Sequence, residues 1–220
     1  MKTRIFMALA LLMACGASHA QFSNTGSFSP SNSSSSSIGD LNTFYVQWNP
    51  SSFNSEGESM SFNGISLGFN HAFALSRTIP IYMETGIGAQ YSFKTEKMKD
   101  DYGKAEDKLT FVSAKVPLNL AYKVDVPNSS FSIIPYAGLT GRLNISAKEK
   151  YKYNQKEETA DLFDDDEVEE TMKRFQLGWQ IGINFKISSL VLGASYGADF
   201  SEIFEDVKIH TTSVTLGVSF

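Results

Sequence analysis

The residues that could carry catalytic chemistry lie near the end of the chain. His210 is preceded by a hydroxyl and three acids, namely Ser201, Glu202, Glu205 and Asp206. A hydroxyl, an imidazole and a carboxylate are the groups that a nucleophilic hydrolase needs. Their order and spacing match no known triad context, so the sequence favours a histidine beside a solvated acidic loop over a catalytic site.

An acidic segment, residues 156–170, is the most unusual surface that the sequence predicts. The acidic surface loop would include Asp161, Asp164, Asp165, Asp166 and Glu167. Carboxylate oxygens suit calcium, but the segment lacks the turn glycine and the ligand spacing of calcium loops. We therefore predict a solvated loop without a metal, and a short acidic helix that contacts a partner is the alternative. No Gly-rich phosphate loop, cysteine cluster or paired-histidine motif occurs, so no cofactor is predicted.

The elements that position these residues are β-strands, because large apolar side chains alternate along the chain from Leu41 onward. In the first segment Phe44, Val46 and Trp48 alternate with Tyr45 and Gln47. A period of two is typical of strands. About eight such segments follow one another, which is the smallest even number found in membrane-spanning barrels. The sequence therefore predicts an all-β fold, an eight-stranded antiparallel transmembrane β-barrel over residues 41–220.

Two features place this barrel in a membrane rather than in water. The polar set of each strand is rich in Gly, Ser, Asn and Gln, whereas the other set carries nearly every large ring, so the bulky set faces outward. Long connections also alternate with short ones, which is the outer-membrane pattern. The long connections are residues 50–63, 94–108, 148–173 and 201–208. His71 falls on the outward set, which predicts either a bulge or a position near the short-turn rim.

The inward set contains isolated charges that an eight-stranded barrel would enclose. Glu84, Lys115 and Arg142 are the members that we expect to form a lumen charge network. The interior of such a barrel is just wide enough for side chains, so enclosed charges must compensate one another or meet water. The sequence predicts a polar plug rather than a pore.

The last strand keeps its alternation to the final residue, Phe220. In hydrocarbon an open sheet edge leaves backbone groups unsatisfied, so this strand must pair with the first one. Phe220 then lies in an aromatic girdle at the periplasmic interface. Pro117 cannot donate to a ladder, so we expect a bulge or a widened strand pair at that position.

The start of the chain is typical of an exported protein. Residues 1–20 have a positive beginning, a short apolar run and a small-residue cleavage site, which predicts a signal peptide. In a second interpretation Cys15 belongs to a lipoprotein cleavage box and is lipidated. Residues 21–40 are rich in Ser and predict a flexible tail. The formal net charge of -5 gives no reason to expect a nucleic-acid partner.

Four segments carry a resemblance to a known family: "SAKVPLNLAYKV" (113–124), "PYAGLTGRLNI" (135–145), "FQLGWQIGINFKI" (175–187) and the terminal "TLGVSF". They resemble the small outer-membrane β-barrel family of the PorT type, which is abundant in Bacteroidetes and related in architecture to the eight-stranded OmpA and OmpX barrels. The resemblance implies a location in the outer membrane of a Gram-negative bacterium. It also implies that Phe220 belongs to an assembly signal for the barrel-assembly machinery.

The function hypotheses come from three classes. We favour a non-catalytic barrel with a structural, adhesion or envelope-assembly role through its long surface loops. Its expected partners are outer-membrane lipids and lipopolysaccharide, the barrel-assembly machinery during insertion, and an envelope protein. A lipid-modifying outer-membrane barrel enzyme is the second hypothesis, and a soluble periplasmic β-barrel that binds small apolar ligands is the third.

Overall fold

The protein is an antiparallel β-barrel in a computed structural model that describes residues 40–55, 58–100, 103–153, 156–164, 166, 171–203 and 207–220. The predicted signal peptide and nearly all of the predicted tail lie outside these residues. The described residues contain strands and turns and no helix. The described residues therefore include no helix that is long and apolar enough to cross a membrane. This finding concerns helices only.

Eleven strands occur in the described residues, and the alternation of side chains explains why they form. They are β1 (Leu41–Trp48), β2 (Ser51–Ser55), β3 (Glu58–Ala74), β4 (Ile81–Asp100), β5 (Gly103–Tyr122), β6 (Val124–Asp125), β7 (Phe131–Tyr153), β8 (Lys156–Asp161), β9 (Phe175–Ile187), β10 (Leu190–Asp199) and β11 (Lys208–Ser219). β1 and β2 both pair with β3 and β11 and occupy one position of the ring. Together with β3, β4, β5, β7, β9, β10 and β11 they make the predicted eight-stranded barrel.

The ring closes between the first and last strands, as the sequence predicted. β1 pairs antiparallel with β11 from Thr43 opposite Ser219 to Trp48 opposite Val214. The ladder extends to the end of the chain, because the Phe220 amide donates to the Asn42 carbonyl at 3.0 Å. Closure leaves the barrel strands without an open edge inside the membrane.

The two sets of side chains face the directions that the sequence predicted. Leu67 on β3 is 64% exposed, whereas its neighbour Ser66 is 1% exposed and points into the lumen. The same contrast recurs around the ring, where large apolar side chains form the outer surface and Ser, Asn and Gln fill the interior. A soluble barrel would reverse this arrangement, so the hypothesis of a soluble binder of apolar ligands is wrong.

Three of the predicted long loops contain residues that extend the barrel strands beyond the rim of the barrel. β4 and β5 pair as far as Asp100 opposite Gly103, and β7 pairs with β8 as far as Tyr153 opposite Lys156. β5 and β7 also pair with each other along this stretch, down to Ala105 opposite Tyr153. Residues 94–100, 103–110, 146–153 and 156–161 thus form a four-stranded sheet, which we call the rim sheet. The acidic helix considered for residues 156–170 is wrong at 156–161, which form strand β8.

A β-bulge between β5 and β7 changes which side chains face the lumen, but it does not lie at Pro117. Between β5 and β7 the register shifts at Val112 and Ser113, where Asn144 and Ser146 are the partners and Ile145 is the extra residue. At Pro117 the β4–β5 register is the same on both sides, and the ladder skips the pairs with Gly86 and Ile87. The widened pair therefore matches the alternative that the sequence left open.

The lumen is closed at the long-hairpin rim by an apolar cluster that the sequence analysis missed. Its members, the mouth cluster, are Phe53, Phe62, Phe111, Ala147, Leu162, Met172, Ile203 and Ile209. The rings of Phe53 and Phe62 lie 4.6 Å apart, and those of Phe62 and Phe111 lie 5.0 Å apart. The bulge at Ile145 contributes by turning Ala147 inward. The polar plug predicted from the sequence therefore fills only the middle of the barrel.

Candidate functional site

The middle of the lumen is filled by amide and hydroxyl side chains that bond to one another. Asn144 joins two strands, since it accepts a hydrogen bond from Ser113 Oγ at 2.7 Å and donates one to Gln176 Oε1 at 2.6 Å. On the other side of the barrel Ser213 Oγ donates to Asn49 Oδ1 at 2.7 Å. Buried polar groups need such partners, so these bonds hold the interior in one arrangement.

One ion pair lies inside the barrel in the described part of the chain, and its acid was not among the predicted residues. Arg142 Nη1 lies 3.3 Å from Asp199 Oδ2, and the two side chains are 5% and 8% exposed. Arg142 Nη2 also donates to Asp199 Oδ1 at 3.4 Å. Gly178 lies between them on β9, where a Cβ would stand 2.8 Å from Asp199 Oδ1. Asp199 lies on the inward set of β10, which is the sequence signal that could have found it.

The other two residues of the predicted network have different surroundings. Glu84 Oε1 accepts a hydrogen bond from Asn119 Nδ2 at 2.8 Å, and Asn119 Oδ1 accepts one from Gln180 Nε2 at 2.7 Å. Lys115 lines two small cavities of about 40 and 20 Å³, one beside Glu84 and the other beside Arg142 and Asp199. Among the described residues no cation pairs with Glu84. The structure therefore pairs Arg142 with Asp199 rather than with Glu84, and Lys115 lies between the two groups.

Phe220 lies on the outer surface at the short-turn rim. Its side chain is 66% exposed, and its ring stacks on Phe44 with centroids 5.8 Å apart. His71 lies at the same rim on the outward face, where its Nδ1 is 2.7 Å from Asn42 Oδ1. The register of β3 shows no shift there, so of the two alternatives for His71 the rim position is the one observed.

The possible catalytic residues are not assembled into a triad. His210 Nδ1 forms a hydrogen bond with Tyr196 Oη at 2.8 Å. Ser201 Oγ accepts the Leu177 amide at 2.9 Å, and Glu202 pairs with Lys173 at 3.5 Å. Glu205 and Asp206 lie outside the described residues. The histidine and the serine that the sequence brought together thus have separate partners.

The described acids of segment 156–170 shape a turn. The Phe163 amide donates to Asp161 Oδ1 at 3.0 Å, and the Asp166 amide donates to Asp164 Oδ1 at 3.1 Å. Such bonds from a carboxylate to the backbone two residues on stabilise turns. Asp165 and Glu167 lie outside the described residues, within which no group of three or more potential metal ligands occurs.

The rim sheet has two chemically different faces. One continues the lipid-facing surface of the barrel, because Phe93 and Thr110 lie on it at its base. This outer face carries the side chains of Lys97, Lys108, Lys148, Lys150 and Lys152. The opposite inner face continues the lumen side and carries four acids, two lysines and two tyrosines, namely Glu96, Asp107, Glu149, Glu158, Lys94, Lys156, Tyr151 and Tyr153. Lys94 pairs with Glu96 at 2.5 Å, so the acids of this face remain in excess.

The acids of the inner face repel one another at one point. Partial burial, and after it the negative charge of Asp107, raise the pKa of Glu149 above its usual range. Tyr151 and Tyr153 are exposed on the same strand. The inner face is therefore acidic and aromatic, while the outer face is basic.

Comparison with known proteins assigns the family. A model of the outer membrane protein beta-barrel domain matches residues 17–205. The chain belongs to this family. Its members lie in the outer membrane of Gram-negative bacteria, and the outward apolar surface fits that location. No match was found among curated proteins.

Several solved barrels are similar to this chain at low identity. Ail, the attachment invasion locus protein of Yersinia pestis, is 14% identical over 83% of this chain and 99% of its own, with a TM-score of 0.43. Neisserial surface protein A is 14% identical over the same shares, with a TM-score of 0.45. The outer membrane enzyme PagL is 9% identical over 79% of this chain and 98% of its own, with a TM-score of 0.36. What these proteins bind or catalyse is therefore not transferred to this chain.

Proposed function

We propose that the protein is a non-catalytic outer-membrane anchor that presents the rim sheet to a partner, in a structural, adhesion or envelope-assembly role. The observation that carries this proposal is the rim sheet itself. It is a paired four-stranded surface continuous with a closed barrel, so it has a fixed position on the membrane. A sheet held in this way loses little conformational freedom on binding, which favours recognition.

The filled lumen supports an anchoring role over a transport role. The two cavities beside Lys115 measure about 20 and 40 Å³, which is room for one or two water molecules in each. Above them the mouth cluster removes polar contacts from any path along the barrel axis. A barrel of eight strands filled in this way supports a surface rather than a passage.

The inner face of the rim sheet is the proposed contact surface for an envelope protein. Exposed tyrosines are enriched at protein interfaces, and here Tyr151 and Tyr153 lie among carboxylates. The edge of β8 beyond β7 has no strand paired to it among the described residues. A partner with a basic surface would complement this face, and steering by opposite charge would raise its rate of association.

The role requires that the rim sheet lie outside the cell, which can be measured. Cysteine replaces Thr159 on β8 in one variant and Thr78 in a short turn in the other. We expect an impermeant thiol reagent to label the first on intact cells and the second only after lysis. Labelling of Thr78→Cys on intact cells would reverse the orientation and remove the rim sheet from the cell surface.

The function itself is tested by crosslinking. A photoreactive phenylalanine analogue in place of Tyr151 should join the barrel to a discrete envelope protein in living cells, and Glu149→Lys with Glu158→Lys should weaken that band several-fold. The same analogue at Tyr122 on the opposite rim is the matched control. A band that is equal at both positions, or unchanged by the charge reversals, would contradict the proposal.

We also propose that Phe220 acts as part of the signal read by the barrel-assembly machinery. Its exposed ring at the end of the closing strand supports this role. Phe220→Glu should reduce the level of folded barrel, measured by heat-modifiable gel mobility. Phe44→Leu, which removes only the stacked partner ring, is the control and should leave insertion intact. The resemblance of the sequence to PorT-type barrels also supports the proposed role in envelope assembly.

A further inference from the structure

The outer face of the rim sheet concentrates positive charge at the edge of the lipid-facing surface. Three lysines follow one another on the same face of β7, at Lys148, Lys150 and Lys152, and Lys108 on β5 lies directly opposite Lys150. Like charges that face each other across a strand pair destabilise a sheet. The fold therefore maintains an arrangement that works against its own stability.

The carboxylates of this face neutralise only part of the charge. Lys150 pairs with Glu157 at 2.5 Å, and Lys97 lies 4.0 Å from Glu106. Asp161 on β8 stands opposite Lys148 on this face, and among the described residues no carboxylate lies within ion-pair distance of Lys108 or Lys152. Lys108, Lys148 and Lys152 are exposed. Their ammonium groups are available to an anion from outside the molecule.

The position of these lysines relative to the membrane decides which anion that is. Tyr91 and Phe93 stack on each other at the top of the apolar surface of β4, with centroids 5.8 Å apart. Phe93, Thr110 and Lys148 lie in one row of the sheet, and Lys108 and Lys150 lie two residues higher. Two residues of a tilted strand rise about 5 Å, and the headgroup layer on each side of the hydrocarbon is roughly 5 to 7 Å thick. Lys148, Lys108 and Lys150 therefore stand at headgroup height, and Lys152 stands one row above them.

We infer that Lys108 and Lys148, supported by the positive charges of Lys150 and Lys152, bind the phosphate groups of anionic lipids in the leaflet above which the rim sheet stands. An ammonium group is a compact charge with three donors and suits a phosphate oxygen. Because the lysines share the outward face with the apolar belt, a lipid whose chains pack on the belt places its phosphate against them. The site lies on the face opposite Tyr151 and Tyr153, so this inference and the partner-binding proposal can fail independently.

The test measures how fast each lysine reacts with an amine-acylating reagent, by mass spectrometry of the intact chain in bilayers. One sample contains phosphatidylcholine alone, and the other contains phosphatidylcholine with one third phosphatidylglycerol at the same ionic strength. We expect Lys108 and Lys148 to react about five-fold more slowly in the anionic bilayer. Lys156, which lies on the inner face of β8, is the internal control and should change less than two-fold.

Two further arms identify the source of the phosphate. Inorganic phosphate added to the phosphatidylcholine sample should leave the rates unchanged, and equal protection by it would overturn the assignment to lipid. The variant Lys108→Gln, Lys150→Gln and Lys152→Gln should reduce the preference of spin-labelled phosphatidylglycerol over phosphatidylcholine for the protein by several-fold. Its folding is checked by gel mobility, and an unchanged preference in the folded variant would also overturn the inference. Equal acylation rates of Lys108 and Lys148 in the two bilayers would also overturn the inference, and this comparison needs no variant.

Discussion

The charges inside the barrel and those on the rim sheet follow opposite rules. In the lumen Arg142 and Asp199 meet each other across Gly178, and Glu84 is held by the amide of Asn119. On the outer face of the rim sheet Lys108 and Lys150 stand opposite each other with the same sign. Both regions are built from the same continuous strands, so the difference does not come from the backbone.

The difference comes from the solvent that each region meets. A charge in the enclosed lumen loses most of its hydration, so its burial is costly unless a partner or a hydrogen bond compensates it, as at Arg142 and Glu84. Lys115 instead lines the two small cavities beside these groups. A lysine on the rim sheet keeps its water, and repulsion from its neighbour is screened. Uncompensated charge in the lumen therefore destabilises the barrel, whereas on the rim sheet it is tolerated and can be used for binding.

The largest expected effect comes from breaking the enclosed pair. Asp199→Asn leaves the guanidinium of Arg142 buried without an anion, and removal of one partner of a buried pair costs about 3 to 5 kcal/mol. Urea unfolding of the lipid-refolded barrel measures it. Glu202→Gln is the matched control, because Glu202 pairs with Lys173 at the surface and should matter by less than about 1 kcal/mol. Equal effects of the two changes would mean that water reaches the lumen pair freely.

The second effect concerns the apolar closure above the polar lumen. Ile203→Ala opens a cavity in the mouth cluster, and we expect the free energy of unfolding to fall by about 2 to 4 kcal/mol. The same urea experiment measures it. Ile79→Ala in an exposed turn is the control and should change little. An Ile203 variant as stable as the parent would show that the mouth cluster is not a packed core.

A smaller effect is expected at Asp125, a charge at the short-turn rim that is neither enclosed nor free. Burial raises the pKa of this carboxyl, but hydrogen bonds from Lys123 and Ser132 outweigh it, so the pKa lies below its ordinary value of 3.8. A group with a depressed folded pKa stabilises the fold above its unfolded pKa and loses that contribution as the pH falls through the folded one. Asp125→Asn should therefore cost less than about 1 kcal/mol at neutral pH. The difference between parent and variant should shrink as the pH falls below 3.8 and vanish once the pH is below the depressed folded pKa, and a difference that stays constant through this range would contradict this assignment.

The smallest effect has the opposite sign. Lys108→Gln removes one of two like charges that face each other, so we expect the barrel to become more stable by a few tenths of a kcal/mol at low salt. The gain should shrink as salt is added, because screening already weakens the repulsion. Thr95→Gln on the same face changes no charge and is the control. In a phosphatidylcholine bilayer, which contains no anionic lipid, destabilisation by Lys108→Gln would mean that this lysine has a partner within the protein.

The sequence by itself determined the architecture, because lipid-facing and lumen-facing side chains alternate along each strand of a membrane barrel with a period of two residues. The alternation of Phe44, Val46 and Trp48 with Tyr45 and Gln47 separates the lipid face from the lumen without knowledge of any neighbouring strand. Closure through β11 and the outward position of Phe220 follow from the same local pattern, since an open edge cannot exist in hydrocarbon. The resemblance to known outer-membrane barrels pointed to the same fold.

Only the tertiary structure decided which inward residues meet. Arg142 and Asp199 are 57 residues apart in sequence. They meet because Asp199 on β10 lies opposite Gly178 and Arg142 on β7 lies opposite Gln176, only two residues away on β9, with Gly178 leaving the space between them. The mouth cluster and the two faces of the rim sheet likewise depend on how far the hairpins continue and on the bulge at Ile145. Register is a property of strand pairs, so these contacts cannot be read from the side-chain pattern of one strand.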